Sequence, residues 1–299
     1  MCEIIVPVVT ILNENEKPDF EGNKKVIDFL VEGGVDGILV LGSTGEFTAF
    51  GYEEKLEFAK KYFEYTNGRV DLYFGSNCPS FDDTVKLTQE ILDIGYKGAM
   101  VMGPYYFAMD QGKIYSYYDE LAKRVKGNIY IYNFPDRSGY SISGETLNKL
   151  MEENSNIVGL KDSVSAPSHT NKICRAIEGK KAFVYSGFDD QFLYNIAIGG
   201  NGCIGALANL VPEIWSDLIK SVKDKDFDKV IKLSSLIDEL MPLYDLDCNF
   251  AKLFKCLMKT RGLEISTKAI TPYDKLDNSI IEKGQSILYN VIEKYKKLK

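Results

Sequence analysis

Short, continuously apolar runs alternate along this chain with longer segments whose apolar residues recur at helical spacing. The runs cover residues 4–10, 36–42, 70–76, 98–103, 128–133, 156–162, 182–187 and 202–208. Their length and β-branched content read as strands. Unbroken hydrophobicity, in place of strict alternation, is what parallel strands covered on both faces require. Between them, residues 53–65 place Leu56, Phe58, Ala59, Tyr62 and Phe63 mostly on one side of a helix. Asp82 and Asp83 are expected to cap a helix over residues 84–94, and Gly95 to stop it. Eight such βα units predict an α/β fold, a (β/α)8 TIM barrel over residues 1–211, with a doubly wound open sheet as the alternative. From Pro212 the strand pattern stops. Residues 212–299 read as a C-terminal helical region packed on the barrel, interrupted around residues 262–272.

A barrel carries its active site at the C-terminal ends of its strands. The ends here hold Thr10, the turn Gly42-Ser43-Thr44-Gly45-Glu46, Ser76-Asn77, Pro104-Tyr105-Tyr106, Tyr132-Asn133, Lys161-Asp162, Ser186-Gly187 and Gly205-Ala206. Hydroxyls, glycines and one amine therefore converge on one rim while the strand interiors stay apolar.

Composition narrows the function classes. The 299 residues are 45% hydrophobic and 26% charged, as in a globular protein, with a net charge of -7 and no dense Lys/Arg cluster, so nucleic acid is not an expected partner. No apolar run approaches the about 18 residues of a membrane span. The start MCEIIVPVVTIL lacks the basic segment of a secretory signal. The 6 cysteines include no CxxC pair and read as reduced thiols in a cytoplasmic protein. His169 is the single histidine, which removes multi-histidine metal sites; it follows SAPS in what reads as a polar surface loop.

Lys161, at the end of NIVGLKDS, invites two readings. A lysine after a strand is commonly solvated, but Ile157, Val158 and Leu160 would put this one at an apolar barrel mouth, where desolvation favours an uncharged, nucleophilic amine. Tyr132 ends the preceding strand, and a phenol beside an amine can pass protons during imine formation. In GSTGE, the backbone N–H groups with Ser43 and Thr44 suit a small carboxylate, or else form an ordinary tight turn. The GxGxxG at Gly200, Gly202 and Gly205 follows a helix and runs into a strand, which rejects a dinucleotide fingerprint. Tyr105 and Tyr106 lie on the rim, whereas Tyr115, Tyr117 and Tyr118 read as helix packing. Arg137, after the fifth strand, is placed to hold a carboxylate or to sit exposed.

GSTGE, PYYF, YNFP, GLKDS, GFDD and CIGALAN, in this order and spacing, resemble the dihydrodipicolinate synthase / N-acetylneuraminate lyase family across nearly the whole chain. The resemblance implies a barrel with a C-terminal helical extension that forms a lysine imine with pyruvate and uses no metal or organic cofactor. It makes Lys161 the imine-forming amine and Tyr132 the proton donor and acceptor. Ser43 and Thr44 bind the pyruvate carboxylate, with Ser43 in a proton relay that Tyr106 completes, offered to a neighbouring subunit of a homotetramer built as a dimer of dimers. Ile204 presents its backbone to the pyruvate moiety. Arg137 resembles the synthase branch, where it would hold the carboxylate of aspartate semialdehyde. GSTGE, and Gly187 with Asp189 in GFDD, resemble branches that cleave sialic acid or 2-keto-3-deoxy sugar acids, where this segment meets the hydroxylated chain.

The expectation is thus a pyruvate-dependent class I aldolase or lyase acting on small keto acids and aldehydes, with the sugar-acid substrate favoured over dihydrodipicolinate synthesis. A keto-acid-binding sensor barrel would share the pocket. A flavin or nicotinamide barrel would need a phosphate-gripping glycine turn, and neither Gly187 nor Gly205 sits in one.

Overall fold

The computed structural model describes residues 2–299. Its strands are β1 (Glu3–Pro7), β2 (Gly37–Val40), β3 (Asp71–Gly75), β4 (Gly98–Met102), β5 (Ile129–Asn133), β6 (Ile157–Asp162), β7 (Phe183–Ser186) and β8 (Gly202–Ile204). They follow one another in a closed barrel in that order, which settles the choice against an open sheet. Each strand falls inside or within one residue of the run that predicted it. The helices between them are α1 (Phe20–Glu32), α2 (Tyr52–Thr66), α3 (Phe81–Ile94), α4 (Gln111–Arg124), α5 (Pro135–Ser138), α6 (Gly144–Glu153), α7 (Pro167–Ala176) and α8 (Phe192–Ala197). After β8 come α9 (Pro212–Asp224), α10 (Phe227–Asp238), α11 (Phe250–Thr260) and the long α12 (Asn278–Leu298). The fold is a (β/α)8 TIM barrel with C-terminal helices.

The described residues cluster into two compact units. One comprises Phe50–Glu64 and Asp71–Ile204, and so holds β3 to β8; the other comprises Cys2–Ala49, Tyr65–Val70 and Gly205–Lys299, with β1, β2 and the C-terminal helices.

Local chemistry explains where the helices begin. α1 starts at Asp19, whose side chain accepts from the Gly22 N–H, and α4 at Asp110, which accepts from the Lys113 N–H. α3 corrects the expected cap. Ser80 is the extended residue whose hydroxyl accepts from the Asp83 N–H, while Asp82 and Asp83 occupy the first turn, where their charge suits the helix dipole. Gly95 ends that helix at φ 118°, a conformation few other residues adopt.

In the first unit the barrel filling is aromatic. The Tyr130 ring meets Tyr73 edge-on at 5.5 Å and lies 6.4 Å from Tyr185, all three buried. Tyr130 fits because glycines face it. A Cβ on Gly159 would stand 2.6 Å from the Tyr130 ring and 2.6 Å from the Phe183 carbonyl, and a Cβ on Gly98 would also collide with the ring. Parallel pairing then places Tyr132 opposite Lys161 and Asn133 opposite Asp162.

Gly159→Ala is expected to destabilise the fold by about 1–3 kcal/mol, the usual cost of overpacking, read as a lower urea midpoint. An unchanged midpoint would mean that the ring has room to shift.

Candidate active site

Three lysines are buried among the described residues, and their surroundings differ. Lys255 on α11 is ion-paired with Glu46 at 2.5 Å. Lys55 on α2 donates to the Asn77 carbonyl. Lys161, 4% exposed at the end of β6, has no carboxylate within ion-pairing distance among the described residues; its Nζ lies over the Tyr132 ring, 4.4 Å from the centroid. The first of the two sequence readings, a snorkelling surface amine, is therefore wrong for Lys161. The amine is withdrawn from bulk water with an aromatic face beside it.

Around Lys161 the first unit assembles several of the expected residues. Tyr132, on the neighbouring strand, stacks on Phe134 at 5.8 Å. Gly187, just past β7, donates its N–H to the Asp162 carbonyl at 2.7 Å, and a Cβ there would collide with the Ser163 side chain, so this close approach requires glycine. Asp189 is buried at the start of the turn Asp189–Gln191. Ile204 ends β8, fully buried. Burial pushes the neighbouring Cys203 thiol well up, and Asp189 adds to the effect. Arg137 is exposed on α5, its guanidinium 5.9 Å from the centre of the Phe134 ring. Tyr106 is 87% exposed and packs edge-on against Phe107.

Behind the reactive face lies a network that the sequence did not reveal. Asp162, fully buried, accepts from Asn133 Nδ2 at 2.8 Å and from Thr170 Oγ1 at 2.7 Å, and its Oδ2 lies 2.9 Å from His169 Nδ1. His169 was expected in a polar surface loop. It sits instead on α7, half-buried, because the helix starts at Pro167 and turns the ring inward onto the carboxylate. The hydrogen bond to Asp162 raises its pKa above the ordinary 6.5, with burial opposing.

In the second unit the hydroxyl turn is held just as firmly. Ser43, exposed, and Thr44, buried, lie in the turn Ser43–Gly45. Leu41 and Glu46 bracket it with left-handed backbones, φ 51° and 57°. Glu46, also missed from sequence, anchors the turn by accepting from Lys255 Nζ and, at 3.1 Å, from the Ile270 N–H. Lys255 donates further to the Lys268 carbonyl at 2.7 Å. Burial lowers the Lys255 pKa while Glu46 opposes. The available signal was a lysine set on the apolar face of FAKLFKCLMK.

Comparison with known proteins identifies the family. The model of the dihydrodipicolinate synthetase family matches residues 1–291. The chain belongs to that family. A probable 2-dehydro-3-deoxy-D-pentonate aldolase, YjhH of Escherichia coli (strain K12), is 31% identical over 271 residues, 90% of each chain. The 4-hydroxy-tetrahydrodipicolinate synthase of Methanocaldococcus jannaschii is 29% identical over 249 residues, covering 83% of this chain and 85% of that one. Among solved structures, the E. coli K12 protein YagE, crystallised in complex with pyruvate, superposes with a TM-score of 0.94 at 28% identity, covering 98% of this chain and 99% of that one. As a member of this lyase family the protein is an enzyme, which removes the sensor alternative.

Lys255→Met should cost roughly 3–5 kcal/mol, since it leaves the Glu46 carboxylate buried without its cation. Adding Glu46→Gln should restore part of the loss, and urea denaturation of the two variants reads the difference. Equal stability of Lys255→Met and wild type would show that the pair is not what holds the turn.

Proposed function

We propose that the protein is a pyruvate-dependent class I aldolase that cleaves or forms 2-keto-3-deoxy sugar acids through an imine at Lys161. The observation that carries this reading is the buried, carboxylate-free amine of Lys161 lying against the Tyr132 phenol ring. An amine in that setting adds to the C2 carbonyl of a keto acid, and the carbinolamine loses water to give a protonated imine. In the cleavage direction the C3–C4 bond breaks, its electrons move into the iminium to form an enamine, and the C4 hydroxyl loses its proton as the aldehyde leaves. The enamine then takes a proton at C3, and water releases pyruvate and the free amine. Tyr132 moves the protons, with Ser43 and Tyr106 as relay partners. The chemistry calls for no metal and no organic cofactor, because the iminium is itself the electron sink.

Thr44 and the Ser43 hydroxyl would hold the substrate carboxylate, and the Ile204 backbone would lie along the pyruvate moiety. Gly187 would lie along the substrate chain, and Asp189 would accept from its hydroxyls. The aldolase name of YjhH supports a sugar-acid substrate. Tyr106, exposed with Tyr105 and Phe107, would serve a neighbouring subunit's site in a cytoplasmic homotetramer. Arg137 favours a second reading, condensation of pyruvate with aspartate semialdehyde. Assays with 2-keto-3-deoxygluconate, N-acetylneuraminate and aspartate semialdehyde separate the substrates.

Borohydride reduction in the presence of pyruvate should attach the three-carbon unit to the peptide carrying Lys161. Lys161→Ala and Lys161→Arg should both abolish turnover, because a guanidinium does not add to a ketone. Tyr132→Phe should slow turnover by about 10²–10⁴, the usual contribution of a general acid–base group. Label on any other lysine, or turnover by either Lys161 variant, overturns the proposal.

A further inference from the structure

We infer that Asp162 and His169 act as positioning residues for the two reactive side chains, and that His169 does so as an imidazolium. The inference rests on the imine reading above and extends it to residues that never touch substrate.

The placement comes from strand geometry. Successive side chains on a strand point to opposite faces, so Asp162 and Asn133 lie directly behind Lys161 and Tyr132, which pair across β5 and β6. The network therefore grips both strand ends one residue beyond the reactive groups. Asn133 donates to Asp162 at 2.8 Å and to the Ser141 hydroxyl at 3.1 Å, and its own carbonyl accepts from the Ile142 N–H at 3.1 Å. The Ser163 N–H donates to the Asn133 backbone carbonyl at 2.8 Å. His169 closes the ring: Nδ1 reaches Asp162, and Nε2 lies 3.1 Å from both the Ile142 carbonyl and the Ser141 hydroxyl.

The protonation state follows from the acceptors. A carboxylate accepts only, so Nδ1 carries a proton. The Ile142 carbonyl also accepts only, so Nε2 needs a second. Asp162 is a fully buried carboxylate, and among the described residues His169 is the cation paired with it. When the ring loses its Nε2 proton, Ser141 can turn its hydroxyl to donate into the ring. The Ile142 carbonyl then loses its donor and Asp162 its counter-charge. A buried charge stripped of its partner is expensive, and the strand ends bearing Tyr132 and Lys161 carry that cost.

The charges around the ring act in opposite senses. Asp162 on β6 favours the imidazolium and Lys172 on α7 disfavours it, while residues 141–142 present a hydroxyl and a carbonyl. Cys174 on α7 remains a neutral thiol, its pKa pushed up to about 11 by burial and by Asp162. Because the folded state raises the pKa of His169, the pair's stabilisation is complete below the ordinary value near 6.5. It fades as pH rises through the raised value.

The chain has a single histidine, so its ring resonances titrate in NMR without assignment. The midpoint should lie above the ordinary value of about 6.5. The kcat of the wild type should fall through that same midpoint as pH rises. His169→Gln should lower kcat on the order of tenfold on the acid side, as removing a supporting partner does. It should leave KM for the keto acid nearly unchanged and lose the alkaline fall attributable to the ring. Ser141→Ala removes the hydroxyl that serves the neutral ring, so it should raise the NMR midpoint; this variant serves if His169→Gln fails to fold. A midpoint at or below the ordinary value, or a His169→Gln pH profile equal to that of the wild type, overturns the inference. Borohydride trapping of pyruvate by the wild type separates the two claims. No trapping sinks the imine reading, whereas trapping with an unmoved pH profile sinks this inference alone.

Discussion

The chemistry proposed for this protein depends on an ε-amine that has been taken out of water without being given a carboxylate. Lys255 shows the ordinary solution, a buried ammonium neutralised by Glu46. Lys161 departs from it, with an aromatic face where the counter-ion would be. An ion pair would fix an amine as a cation and a spectator, and the proposed imine chemistry requires that Lys161 be spared one.

Two buried carboxylates brace the segments that carry the candidate site residues. Glu46 secures the hydroxyl turn from the C-terminal helices, and Asp162 secures the strand ends from α7. Each is buried, each accepts from several donors, and each is matched to one cation. Breaking such a pair costs far more than an exposed salt bridge, because the group left behind has no water to turn to. That cost suits the pairs to holding backbone in a conformation it would not choose, such as the left-handed residues Leu41 and Glu46 on either side of the turn.

Much of this was legible in the sequence. Continuous apolar runs of strand length gave all eight strands, because burial on both faces of a parallel barrel leaves no polar alternation to confuse the pattern. Lys161 and Tyr132 were legible as strand ends, and their pairing followed once the strands were placed in order. His169 was not, because a polar stretch such as SAPSHT has the composition of a surface loop whether or not a helix turns one of its rings inward. The Lys255–Glu46 pair was hidden by separation: only the folded chain brings together partners 209 positions apart. The capping of α3 by Ser80 shows a smaller limit, since any of several oxygen-bearing residues before an apolar run can serve as the cap.

The tyrosine at position 130 and the glycines at 98 and 159 share one volume on neighbouring strands. Their inheritance is correspondingly linked. A lineage that enlarges Gly98 must first shrink the ring, and one that shrinks the ring opens a void that an alanine at 98 could later fill, whereas Gly159 stays held by the Phe183 carbonyl as well. The barrel interior thus drifts by ordered pairs of changes, each harmful alone and tolerable together.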